Sequence, residues 1–135
     1  MANNSRLPAV ALLALACLGG CTAEPDYVPA KGHVFYKGSP LTSGVVMFQP
    51  TNGPPATGLI QSDGTFELTT PGRAEGARIG PNAVRISSRQ APRNQTTEIA
   101  LGPLLIPEQY TDFTSSGLTA EVKPQNNEPF VFRLD

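Results

Sequence analysis

Proline and glycine, fourteen and thirteen of 135 residues, interrupt this chain so often that nothing after its opening segment sustains a helical period of apolar positions. The runs between the interruptions are short, rich in Val, Ile, Phe and Thr, and alternate apolar with polar residues. A period of two puts successive side chains on opposite faces of a strand, so the pattern implies an all-β domain. The length allows one such domain and no second core. Ten Lys and Arg against eleven Asp and Glu, with no long basic block, argue against a nucleic-acid partner.

The strands can be placed along the chain. Residues 32–36 form the first, and Lys37-Gly38-Ser39-Pro40 turns it back. GVVMFQ at 44–49 is almost continuously apolar and predicts a central strand covered on both faces. Residues 57–62 and 65–70 flank Asp63-Gly64, a two-residue link that favours a tight hairpin because both positions tolerate positive φ. Alternation there sends Ile60, Phe66 and Leu68 inward and Gln61 and Glu67 to water. A loop with three glycines follows at 71–81, then a strand at 82–88 with Val84 and Ile86 inward and Arg85 outward.

The C-terminal end reads as a closing hairpin. Leu118, Ala120 and Val122 alternate with Thr119, Glu121 and Lys123, and Phe130, Phe132 and Leu134 alternate with Val131 and Arg133. The irregular stretch 89–117 is longer than a compact domain usually tolerates without a role or separate packing. Its first part, 90–97, is polar, whereas LLIPEQY at 104–110 is apolar enough to pack along the domain. Pro107 argues against a long helix there.

The N-terminus carries a different signal. Residues 1–6 are polar with one positive charge at Arg6, and 7–18 are apolar apart from Pro8, too short to span a bilayer as a helix. This is the form of a signal-peptide apolar region. Leu18-Gly19-Gly20-Cys21 then resembles the lipobox read by the lipoprotein signal peptidase, which implies cleavage after residue 20 and a diacylglycerol thioether on Cys21. A further acyl chain such as palmitate commonly follows. Each buried CH₂ contributes about 0.8 kcal/mol, so two or three chains make a stable anchor where one does not. A plain secretory leader and an uncleaved segment are the alternatives.

Cys17 has a poorer box, Ala14-Leu15-Ala16, without the branched aliphatic residue preferred three places before the cysteine. Cleavage before Cys21 would discard Cys17, leaving the exported domain without a disulfide. Two cysteines with no further ligands nearby do not make a zinc site. Residues 21–30, with two prolines and two acids, read as a tether, and 31–135 as the domain. Thr22 stands where the sorting rule of well-studied diderm bacteria would place Asp for inner-membrane retention. That resemblance points to the outer membrane facing the periplasm.

VFYKGSPLTSGVVMFQP at 34–50, SDGTFEL at 62–68, LIPEQY at 105–110 and SGLTAEV at 116–122 together resemble the carboxypeptidase regulatory-like family of transthyretin-like domains, in the version found in short bacterial lipoproteins. The resemblance covers about residues 31–135. It departs at Gly80-Pro81-Asn82, where a basic or histidine residue often precedes the strand. It implies a single seven-stranded Greek-key sandwich, transthyretin-like or Ig-like, after a cleaved signal peptide, and usually an accessory module without catalysis of its own.

Signs of chemistry are sparse. His33 is the only imidazole, with no serine and carboxylate evident around it. The zinc-binding catalytic domain in the family's name is absent, and no cofactor or metal site is expected. The 5-hydroxyisourate hydrolases among transthyretin-like proteins use several His and Arg residues and end Tyr-Arg-Gly-Ser; this chain ends Phe132-Arg133-Leu134-Asp135. Asp63 beside a glycine reads as a turn residue before a calcium ligand.

The expectation is therefore a non-enzymatic, lipid-anchored envelope protein with structural or protein-binding roles. Loops 71–81 and 90–103 would offer contacts to an unknown envelope protein or glycan. Carbohydrate binding is the alternative, with Tyr27, Tyr36, Tyr110 and Phe113 as candidate platform residues, and a transthyretin-like hydrolase of the 5-hydroxyisourate type is a remote one. Tyr110 is also expected to pack with Leu105 and Ile106. Arg73, Arg78, Arg85, Arg89 and Arg93 could supply a basic patch, or simply a solvated face.

Overall fold

The computed structural model describes residues 26–91 and 102–135. Its strands are β1 (Tyr27–Val28), β2 (Lys31–Tyr36), β3 (Ser39–Pro40), β4 (Val45–Pro50), β5 (Ala56–Leu59) and β6 (Thr65–Glu67). They continue with β7 (Thr69–Thr70), β8 (Ala74–Glu75), β9 (Ala77–Arg78), β10 (Gly80–Ser87), β11 (Leu118–Val122) and β12 (Phe130–Leu134). One 3-10 helix, Glu108–Thr111, follows Pro107. The protein is all-β.

The larger sheet has the order β11-β10-β4-β5-β7-β8 and is antiparallel throughout. The smaller is built on β2, which pairs with β12 along one edge and with β3 and β6 along the other. Alternation along the strands is what packs the two sheets together. Val46 and Phe48 of β4, Val84 and Ile86 of β10 and Val34 of β2 are fully buried, as are Phe66, Leu68, Val122 and Leu134 to within 2 %.

Phe48 of the larger sheet meets Phe66, Phe130 and Phe132 of the smaller edge-on, at centroid distances of 6.3, 5.3 and 5.9 Å. Such pairs contribute about 0.5–1.5 kcal/mol each beyond their burial. Ile106 and Tyr110 close the core from the 104–110 segment, and the Tyr110 hydroxyl accepts the Asp135 N–H at 3.3 Å. Leu105, expected beside them, is exposed.

Turn geometry departs from the sequence expectation. The tight turn with positive φ at both central residues is Lys37-Gly38, at 50° and 82°, joining Tyr36 to its partner Ser39. At Asp63-Gly64 only Gly64 is positive, at 85°. Gly64 N–H donates to Gln61 O at 2.9 Å and Gln61 N–H to Thr65 O at 2.8 Å, so the loop has three residues ending in a left-handed glycine.

Nor is 65–70 a single strand. β6 pairs with β2, then Leu68 donates to Ala30 O and accepts from Gly76 N–H, and β7 pairs with β5 in the other sheet. The chain changes sheets at this bend, as corners of two-layer β structures do.

The closing hairpin is corrected outright. β11 pairs with β10 in the larger sheet, while β12 runs parallel to β2 in the smaller. Alternation reports which face a strand buries and is silent on its neighbour. Residues 123–129 are long enough to cross between layers, and Asn127 braces the crossing by accepting from Lys123 N–H and donating to Lys123 O.

Two smaller expectations shift as well. β4 is central but covered fully on one face only, with Val45, Met47 and Gln49 half-buried on the other. The loop at 71–81 contains β8, β9 and the start of β10. From Asp26 onward the expected tether is docked: β1 pairs with β9, Val28 and Ala30 enter the core, and Asp26 O accepts Ile79 N–H. Gly76 permits this closure. Its φ is +101°, and a Cβ there would stand 1.8 Å from Val28 O.

Candidate functional site

The outer face of the larger sheet is where the side chains with chemistry converge. On β10 the outward positions include Arg85 and Ser87; on β4 their partners in register are Met47 and Val45. The Arg85 guanidinium lies along Met47, with Nε at 3.1 Å and Nη2 at 2.8 Å from Sδ. Its carbon also sits 5.1 Å from the centre of the Phe113 ring. Held between a thioether and an aromatic face, the cation has a defined orientation on an open sheet surface.

Local structure places Phe113. Asp112 Oδ1 accepts from Thr114 N–H at 2.8 Å and from Thr114 Oγ1 at 2.7 Å, which clamps the residue between them. Ser116 N–H donates to Asp112 O at 3.0 Å, and Ser115 Oγ donates to Gln109 O at 2.8 Å. Ser116 Oγ ties the segment back to Val84 O on β10. The 3-10 helix and the following turn are thus fastened to the sheet beside Arg85.

Arg89, just beyond β10, donates through Nη1 to Gly102 O at 3.0 Å. The backbone pairs there too, with Gln90 N–H on Pro103 O and Leu105 N–H on Ser88 O, each at 2.9 Å. Arg85 and Arg89 line one groove of about 390 Å³ together with Val45, Met47, Ser87 and Thr111. Among the described residues no carboxylate lines it.

Asp112 flanks the groove, close enough to Arg85 to feel its charge. The backbone and side-chain hydrogen bonds from Thr114 hold its pKa below the ordinary 3.8, with a smaller electrostatic contribution from Arg85. Asp63 is lowered likewise, chiefly by the Thr65 hydroxyl and then by Thr65 N–H, at 2.6 and 3.0 Å from Oδ1. The same Asp-x-Thr clamp therefore occurs twice, once at the β5–β6 turn and once under Phe113.

The structure disperses most of the other candidates. Arg78 donates to Asn52 O at 2.7 Å and pairs with Tyr27 across β1 and β9, and Arg73 lies in the exposed turn after β7. Tyr110 belongs to the core, and Tyr36 packs against it with Lys37 Nζ 5.3 Å from its ring centre. The four candidate aromatics therefore do not make one platform. His33 is half-buried on β2, its ring stacked on Phe35 at 6.1 Å. Arg93, most of loop 90–103, and Leu18, Gly19, Gly20 and Cys21 lie outside the described residues.

Phe35 was missed; it follows buried Val34 on β2, so the period of two turns it to the outer face. In the structure Arg133 of β12 covers its ring at 4.9 Å. Met47 was missed for a stronger reason, since only pairing of β4 with β10 brings it under Arg85. Among the described residues no group of three His, Cys, Asp or Glu is placed to hold a metal ion, and no helix is long and apolar enough to cross a membrane. No protein-family model, curated protein or solved structure matches this chain.

Proposed function

We propose that this chain is a non-enzymatic, lipid-anchored protein of the bacterial cell envelope that presents a β-sandwich at a membrane surface. Cys21 is the lipidated residue, behind the box Leu18, Gly19 and Gly20. One observation carries the reading: an apolar leader, that box and a β domain beginning at Tyr27 follow one another directly. Residues 22–26 alone would separate the thioether from the domain. At about 3.5 Å per extended residue they reach roughly 18 Å, so the domain would sit against the membrane.

The finer fold belongs to the same proposal. Among the described residues, strands of three or more residues number seven: β2, β4, β5, β6, β10, β11 and β12. That count and the motif resemblance support a seven-stranded Greek-key sandwich of the transthyretin-like, carboxypeptidase regulatory-like kind. Thr22 after the cysteine supports the outer membrane, facing the periplasm. The partner, an envelope protein or glycan, would meet the loops at 71–81 and 90–103. An unchanged set of co-purified partners after alanine substitution across both loops would remove them from the proposal.

Intact mass spectrometry of the full chain from a bacterial membrane fraction, beside Cys21→Ser, tests the anchor. The expected wild-type mass lacks residues 1–20 and carries acyl chains, and the variant shows neither. A soluble, unacylated wild-type product would end the proposal.

A further inference from the structure

The Arg85–Arg89 groove has the composition of a ligand site, and we infer that it binds an acidic sugar: the two guanidinium groups take a uronate carboxylate, and the groove's apolar floor takes the ring. This goes beyond the anchoring function and does not depend on it.

The argument begins with hydrogen-bonding capacity. A guanidinium has five N–H donors, and among the described residues Arg85 engages two of them, both on Met47 Sδ. Arg89 engages Nη1 on Gly102 O, and its other N–H groups have no hydrogen-bond partner among the described residues. Both side chains are therefore oriented before any ligand arrives, which lowers the entropy lost on binding. Oriented guanidinium forks suit the paired oxygens of a carboxylate. Among the described residues no acid lines the groove, and Asp112 on the flank is turned to Thr114.

Charge alone would equally suit inorganic phosphate. The other lining groups favour a sugar. Thr111 Oγ1 donates its proton to Glu108 O at 2.7 Å, so within the groove that hydroxyl can act only as an acceptor. Ser87 adds a hydroxyl able to do either. A ligand that satisfies donors and an acceptor side by side carries both an anionic group and hydroxyls. Val45 and Met47 give a floor for the C–H face of a ring, and 390 Å³ falls at the small end of ligand clefts, about 300–1,000 Å³.

Calorimetric titration of the full-length chain with tetragalacturonate tests this, with a neutral galactose tetramer and inorganic phosphate as comparison probes. Saturable binding of the uronate is expected, with Kd on the order of 0.1–1 mM and weakening as salt is raised. Arg85→Gln and Arg89→Gln should each lower affinity about tenfold, as loss of a charge-assisted hydrogen bond does. Arg89 is exposed, so its variant keeps the fold even if Arg85→Gln does not. No saturable binding, equal binding of the neutral tetramer, or unchanged affinity in Arg89→Gln would overturn the inference. Tighter binding of phosphate than of uronate would overturn the sugar assignment. The anchor is read by mass, so the two proposals fail separately.

Discussion

Phe48 and Met47 are neighbours on β4, yet they belong to regions built on different physics. Inward from the larger sheet, Val46, Phe48, Val84 and Ile86 have no exposure, and their positions follow from close packing against the smaller sheet. Outward, Met47 and Arg85 are half-buried, and directional contacts set their geometry: guanidinium to sulfur, guanidinium to the Phe113 ring. The smaller sheet repeats the outer device with Arg133 over Phe35. A strand with one face in the core can thus leave the other free for recognition, because a substitution outside opens no cavity.

Truncation on the two faces gives the largest contrast. Phe48→Ala removes the ring shared by three aromatic contacts and should cost about 3–5 kcal/mol in urea unfolding. Met47→Ala, one residue away, should cost about 1 kcal/mol or less, as substitutions on half-exposed surface do. Comparable losses at both positions would break the distinction.

Smaller still is the coupling on the outer face itself. In a double-mutant cycle of Arg85→Gln with Phe113→Leu, an interaction of about 0.5–1 kcal/mol is expected. Additive losses would mean that the ring merely lies near the cation.

Acid sensitivity should be the weakest effect, and it belongs to the exposed turns. Asp63 and Asp112 have folded-state pKa values below the ordinary 3.8, so their clamps contribute fully above that pH and the contribution is lost as pH falls through the lowered values. The double variant Asp63→Asn, Asp112→Asn should therefore show a flatter fall of Tm below pH 3.8 than the wild type. An identical fall in both would assign acid unfolding to other groups.

The all-β class and the inward set were legible in the chain, since a period of two needs no partner to be read. Phe66, Leu68, Val84, Ile86, Val122, Phe132 and Leu134 are buried where alternation put them. The resemblance of Leu18–Cys21 to a lipobox rests on the sequence alone, and those residues lie outside the described ones.

Which strands lie side by side was decided only in three dimensions. β11 and β12 look like two arms of a hairpin and belong to different sheets; residues 65–70 look like one strand and serve both. The candidate groove inherits that dependence, because Met47 and Arg85 meet only through the β4–β10 register, and Phe113 joins them only through the Asp112–Thr114 clamp. Side-chain direction is encoded residue by residue in a strand, whereas pairing depends on contacts far apart in the chain, whose free energy exists only once both sheets have closed on the core.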